Sequence, residues 1–187
     1  RSPRELTILH ISDVQFGGNH IFGGNGLTPA DQIVDTLSAR LHDDLLLMRK
    51  TKGLRPEMLV VTGDLAEMAR RSEFDDAAAF LESLAFALEI PHQHVAIVPG
   101  NHDVNWSASQ AYFFECEADE RVPEAPYFHK WDNFLRLFTG FYEDVPGVTF
   151  SRDAPWSVFE MPDLKVVVAG LNSTMAESHR DADHHGL

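Results

Sequence analysis

Short β-branched runs alternate with long stripes of apolar residues at helical spacing along the first hundred positions of the chain. Residues 6–11 read as a first strand, apolar on both faces as a covered parallel strand is. Residues 58–61 and 95–98 repeat that grammar. Between the first two runs, Ile33, Leu37, Leu41 and Leu45 recur every fourth position, with Val34 and Met48 broadening the stripe. Thr28 suits the N-cap of that helix, Pro29 its first turn and Asp31 its third position, and it should run to about Arg49. A second helix is expected over 72–88, with Ser72 and Asp75 as a cap pair and Phe74, Ala77, Ala78, Leu81, Leu84, Ala85 and Leu88 as its apolar face. The order β-α-β-α-β predicts an α/β domain with a mainly parallel sheet.

Beyond Trp106 the rhythm changes. A short helix is expected over 107–116, an acidic surface excursion over 117–126, and a helix over 127–142. That last segment carries Trp131, Phe134, Leu135, Phe138, Phe141 and Tyr142, either a core stripe or a stacking wall for a substrate. Strands are predicted over 148–150, 156–159 and 165–169, the last two as a hairpin, and 170–187 reads as polar and irregular.

The polar residues gather where the three strands end. Asp13 and Gln15 follow the first strand, Asp64 the second, and Asn101, His102 and Asp103 the third, after Pro99-Gly100. Oxygen and imidazole donors at three neighbouring strand ends suggest one convergent site for two divalent cations. If extended geometry persists, Asp13 and Gln15 share one side. Asp64 is then the best bridge and Asn101 a carbonyl donor to the second ion, while His102 touches a phosphate oxygen. Asp103 would accept a hydrogen bond from that imidazole. Two metals about 4 Å apart polarise a phosphoryl group and acidify a bridging water. Such a mixed shell suits Mn²⁺, Fe or Zn²⁺. Each residue also has a plainer reading: Asp13 as a cap, Asp64 in an Asx-turn, Asn101 satisfying a turn, Gln15 bonding locally. His10 is expected to be packed, His92 and His94 flank the wrong end of their strand, and Glu67 bonds within the second loop. The glycine-rich stretch 16–27, with His20, either approaches a ligand or is a surface loop; it lacks the spacing of a dinucleotide fingerprint.

Length and charge narrow the function. The 187 residues suit one domain, and 44% hydrophobic content supplies a core. A formal net charge of −14 opposes nucleic-acid backbone binding, which needs a basic footprint. A small anionic substrate remains compatible with it, because bound cations reverse the local field. The single Cys116 allows no intrachain disulfide and no thiolate zinc cluster. A cytoplasmic setting is expected, though a disulfide-free exported protein fits the same count. No apolar run reaches the length of a membrane span.

Asp13-x-Gln15, Gly63-Asp64-Leu65-x-Glu67 and Gly100-Asn101-His102-Asp103 together resemble the first three motifs of the calcineurin-like metallophosphoesterases. Leu171-Asn172-Ser173, after a strand, is similar to a later one. The resemblance implies a sandwich of two mixed sheets flanked by helices, incomplete at its C-terminal end. It also implies a dinuclear hydrolase acting on phosphodiester or pyrophosphate bonds of a nucleotide or other small phosphate ester. By the same resemblance Asp13 and Gln15 hold the first metal, Asp64 bridges, Asn101 holds the second, and His102 contacts the phosphate, oriented by Asp103.

The chain departs from the family pattern twice. Gln15 stands where the first motif usually ends in histidine, similar to the branch of manganese-dependent ADP-ribose and CDP-alcohol pyrophosphatases. The family's later histidine and its Gly-His-x-His motif have no recognisable counterpart; His179, His184 and His185 are the only late histidines. The expectation is therefore the N-terminal part of one larger catalytic domain, whose site another segment or chain completes. The alternative is a phosphate-binding or interaction module with an incomplete, inactive metal site. A protein phosphatase, with an open groove in place of an aromatic lid, is a third reading.

Overall fold

The computed structural model describes residues 5–18 and 30–183. Strands β1 (Ile8–Ile11), β2 (Met58–Thr62) and β3 (Val95–Val98) form a parallel sheet in the order β1-β2-β3. The register sets Leu9 beside Leu59 and Val95, and Ile11 beside Val61 and Ile97. Residues at one level of a parallel ladder share a face, and Leu59, Val61, Val95 and Ile97 on this one belong to the core. Val60 with Ala96, and Thr62 with Val98, fill the opposite face and floor an open trough. On that side β1 is not covered as its pattern suggested: Ile8 is 49% exposed. His10 is likewise exposed rather than packed, and its Nε2 lies 2.8 Å from Thr62 Oγ1.

Helices α1 (Ala30–Lys52) and α2 (Arg71–Leu88) supply the crossovers. Leu37, Leu41 and Leu45 of α1 turn towards the core as the stripe predicts, but Met48 is 45% exposed. The expected cap at Thr28 and Pro29, the side chains of Asp31, Ile33 and Val34, most of the glycine-rich loop, and His184 and His185 lie outside the described residues. The start of α2 differs from the expected Ser72–Asp75 pair. Glu73, 4% exposed, reaches back so that its Oε2 accepts the N–H groups of Met68 and Arg70 at 2.9 and 3.0 Å. A carboxylate at the third helical position thus satisfies donors that the helix itself leaves open.

The second half contributes α3 (Trp106–Ala118), a 3₁₀ turn (Phe128–Trp131), α4 (Asp132–Phe141) and an antiparallel hairpin of β4 (Ser157–Met161) and β5 (Val166–Gly170). The long helix expected over 127–142 is split, because Tyr127 takes a left-handed φ of 56° and the first turn is 3₁₀. Residues 148–150 form no strand among the described residues. Phe150 instead plugs the core, its ring centroid 5.2 Å from Phe134 and 5.7 Å from Trp131. Trp131, Phe134 and Phe138 are at most 2% exposed, and Tyr142 Oη donates to Val95 O at 2.9 Å. The aromatic segment is thus a pillar between α4, β3 and the hairpin, neither a stacking wall nor a lid.

Two polar ties hold the hairpin side in place. Lys130, fully buried, donates through Nζ to the carbonyls of Thr174, Met175 and Glu177 at 2.7, 2.9 and 2.6 Å. Burial pulls its pKa down to about 7, while Glu177 and Asp183 favour the charged form. His94 Nε2 approaches Asp163 at 2.9 Å, fixing the hairpin turn to the start of β3, and this bond holds the Asp163 carboxyl below the usual carboxylate range. His92 stacks on Phe141 at 4.2 Å. The two histidines expected at the wrong end of the strand are structural.

Phe150 joins the aromatic core from a loop, so its loss leaves a cavity that no helix or strand can close by sliding. Phe150→Ala should cost about 3–5 kcal/mol. Phe86→Ser, at a position 88% exposed, should change stability by less than about 0.5 kcal/mol. Urea unfolding of the two variants measures both; equal effects would remove the pillar.

Candidate metal centre at the strand ends

Two glycines let the loops after β2 and β3 touch backbone to backbone. Gly63 takes φ +85°, and a Cβ there would meet Gly100 N at 2.3 Å. A Cβ on Gly100 would meet Asp64 Oδ1 at 2.2 Å. The two loops then exchange hydrogen bonds. Asp64 Oδ1 accepts from His102 N at 2.9 Å. In return Asp103 Oδ1 accepts from Ala66 N at 3.0 Å, and its Oδ2 from Gly100 N at 2.9 Å. His102 Nδ1 lies 2.9 Å from Glu67 O. A carbonyl only accepts, so Nδ1 carries the proton and Nε2 is left for chemistry.

The loop after β1 zips onto this pair. Gln15 N donates to Asp64 O at 2.8 Å and Phe16 N to Leu65 O at 2.7 Å, while Glu67 N returns a bond to Phe16 O at 3.0 Å. Asp13, Gln15 and Asp64 all sit in left-handed backbone, with φ of 57°, 49° and 55°. Such conformations are costly for non-glycine residues and persist where surrounding bonds over-determine them.

The result is a trough of about 560 Å³ over the C-terminal edge of the sheet. Asp13, Asp64 and Asn101 line it, opposed by Val168, Ala169, Leu171 and Ser173. Gln15 does not line it. The i, i+2 argument fails there because the left-handed residues at 13 and 15 end the extended geometry it needs. His102 lines a smaller cleft next door. Asp103 is fully buried and its two oxygens accept main-chain N–H groups, while the His102 imidazole bonds the Glu67 carbonyl instead. It is a positioning residue for two loops, and the main-chain carbonyl of Glu67 takes the orienting role expected of it. The carboxylate of Glu67 lies against Gly17, where a Cβ would meet its Oε2 at 2.2 Å. Asn172 is buried as well, its Oδ1 accepting from Thr174 N and Oγ1 at 2.9 and 2.8 Å. His179 packs edge-on to Phe113 at 4.8 Å and does not line the trough.

The donor set decides what the trough can hold. Among the described residues it offers two carboxylates, one amide oxygen and the hydroxyls of Ser12, Thr62 and Ser173, with no lysine or arginine in its lining. Hard oxygen donors of this kind suit a divalent cation, and Asp13, Asp64 and Asn101 are the residues that could hold one. Among the described residues, no group of three or more His, Cys, Asp and Glu side chains could hold a metal ion.

Asn105 was given no role by the sequence pattern, yet it frames the site. Its Oδ1 caps α3 through Ala108 N at 2.9 Å, and its Nδ2 reaches Ala69 O at 3.1 Å. Its N-cap position immediately before an apolar helix was the available signal.

Burial, together with the neighbouring Asp64 carboxylate, pushes the Asp103 carboxyl up to about 7 against the pull of its two N–H donors. A carboxyl raised in the folded state contributes stability that is fully present below its ordinary pKa of 3.8 and is lost as pH rises towards 7. Asp103→Asn should abolish this falling limb in urea unfolding measured between pH 4 and 7. It should also cost about 1–3 kcal/mol at low pH, because the amide nitrogen would face a main-chain N–H. An unchanged pH slope in the variant would refute the assignment.

No curated protein matches the chain. The family described as Calcineurin-like phosphoesterase matches residues 6–173, from the strand that delivers Asp13 to the turn that follows β5. With that match over most of its length, and with its strand-end loops bonded to one another, the chain belongs to the calcineurin-like phosphoesterase family.

Proposed function

We propose that these residues form a phosphate-ester-binding module of the phosphoesterase type, with an incomplete metal site that does not turn over by itself. The observation that carries this reading is the trough's composition: among the described residues it is lined by two carboxylates and an amide, with no cationic side chain. Such a surface repels a phosphate, and a single bound divalent cation reverses that field. When bound, the ion supplies charge neutralisation and a coordination position for a phosphoryl oxygen. Asp13 and Asp64 hold it, Asn101 adds a neutral oxygen, and the loop–loop bonds fix Asp64 and His102 relative to each other. His102 Nε2, left unprotonated by the Nδ1 bond to Glu67 O, would accept a hydrogen bond beside the phosphate.

A second reading is the dinuclear hydrolase, with a nucleotide or other small phosphate ester as substrate. What favours it is the arrival of Asp13, Asp64 and Asn101 from three successive strands in one trough wide enough for further ligands. In that reading another segment or chain supplies the missing imidazoles, and Gln15 joins the shell after a local change of backbone.

Equilibrium dialysis with Mn²⁺, together with hydrolysis of bis-p-nitrophenyl phosphate by the 187-residue chain, separates the two readings. One weakly held ion per chain is expected. Asp64→Asn should weaken it at least about tenfold, and no hydrolysis should exceed that of the metal alone. Two tightly held ions with Asp64-dependent turnover would establish the hydrolase instead.

A further inference from the structure

The end of the molecule opposite the trough carries a different chemistry. Helices α1 and α2 connect parallel strands, so both run back and finish at the N-terminal edge of the sheet, where Glu57 N donates to Thr7 O just before β2 begins. In a chain of 15 basic and 29 acidic residues, residues 49–55 hold Arg49, Lys50, Lys52 and Arg55 and no carboxylate. All four are exposed, and Arg55 pairs with Glu89. Cations in a last helical turn answer its partial negative charge, which accounts for Arg49, Lys50 and Lys52. It does not account for the apolar side chains around them. Leu46, Met48 and Leu54 are exposed, Leu47 is 58% exposed, and Phe86, in the last turn of α2, is 88% exposed. Leu46 and Leu54 line a cleft of about 60 Å³ with Arg49, Arg55 and His42, and Ala87, next to Phe86, lines it from α2. The buried Nδ1 of His42 has no hydrogen-bond partner among the described residues. An exposed apolar patch rimmed by polar groups marks a contact surface.

We propose that this end of the molecule is a docking surface for an anionic lipid membrane, with Leu47, Met48, Leu54 and Phe86 entering the headgroup boundary and Arg49, Lys50, Lys52 and Arg55 meeting lipid phosphates. Charge complementarity and the directions of the apolar side chains select this partner. Four clustered cations on an amphipathic helix end are what an acidic lipid surface attracts. Leu46, Leu47 and Met48 are consecutive, so they leave the helix about 100° apart and form no single stripe. A partner groove reads one helical stripe, whereas a fluid acyl boundary meets side chains that point several ways. The acidic remainder of the surface is no obstacle, because charges farther than a Debye length of about 8 Å are screened. Asp43 and Asp44, exposed on α1, lie about 9–10 Å along the helix from Lys50. The cleft then receives the phosphate of one lipid between Arg49 and Arg55, with His42 as a further polar contact. The trough, at the other end of the strands, stays open to water, and the docking surface is independent of what the trough binds.

Co-sedimentation of the 187-residue chain with vesicles tests this, using phosphatidylcholine alone and phosphatidylcholine with about one-third phosphatidylserine. The mixed vesicles should bind the chain at least about tenfold more tightly than the neutral ones, and added salt should erase the difference. Lys50→Gln and Lys52→Gln should each weaken binding about fivefold, the loss of one cation near an anionic surface. Phe86→Ser should weaken it at least as much while leaving the fold intact. Val122→Ser, at an exposed apolar position outside the patch, should have no effect. No binding to the mixed vesicles, equal binding to both kinds, or binding insensitive to Phe86 and Lys52 would each overturn the proposal. A concentration-dependent dimer that is lost in Phe86→Ser, without vesicle binding, would also overturn it and give the face to a second copy of the chain.

Discussion

The exchange of hydrogen bonds between the loops after β2 and β3 is the constraint on which the rest of the site depends. Each loop lends a carboxylate to the other's backbone. Asp64 accepts from His102 N, and Asp103 accepts from Ala66 N and Gly100 N. Two close glycine contacts permit the approach, and the buried acid makes it expensive to undo. Removing the carboxylate of Asp103 would leave main-chain donors without partners in a region water does not reach, the costly side of the hydrogen-bond balance. The loop after β1 docks onto this assembly, so Asp13 is placed by Gly63 and Asp64 as much as by its own strand.

The arrangement separates support from chemistry. Asp103 and Asn105 spend their polar atoms on backbone of their own segment and of the loop after β2, whereas Asp13, Asp64 and Asn101 line the trough and His102 the cleft beside it. The left-handed backbone at Asp13, Gln15 and Asp64 is local strain that the surrounding bonds retain. Farther away, the aromatic pillar and the buried Lys130 hold the hairpin whose end, from Val168 to Ser173, makes the far wall of the trough. That wall is a stability element with a functional consequence: it sets the trough's width. The exposed edge of the sheet, with Ile8 and His10 turned outwards, belongs to the same open side of the molecule.

Local patterns made much of the fold legible. The run 95–98 is a strand at the predicted limits, and the β-α-β-α-β order emerged from the alternation of periods two and 3.6. Less visible were features decided by neighbours distant in sequence. Phe150 read as a strand residue because a run as short as Val148-Thr149-Phe150 carries no decisive periodicity, and only the rings of Phe128, Trp131, Phe134 and Phe138 make it a plug. The rings over 127–142 were compatible with a core or a lid, since composition cannot tell which side of a helix meets solvent. Glu73 replaced the expected cap because a carboxylate three positions in can reach back, a choice that Ser72 and Asp75 did not rule out.

By itself the sequence determined which residue types reach the C-terminal ends of three adjacent strands, because β-branched runs broken by glycine or proline leave little freedom in where a strand stops. It thereby carried the family, which the match over residues 6–173 shows, and it brought Asp13, Asp64 and Asn101 to the edge of one trough. Only the tertiary structure decided how that set is divided. It sent Gln15 off the trough through left-handed backbone and buried Asp103 as a brace. It turned His102 towards a cleft framed by Trp106, with the Glu67 carbonyl as its partner. The physical reason is that these roles depend on which main-chain donors and acceptors remain unpaired once three loops meet. That quantity belongs to no single stretch of chain.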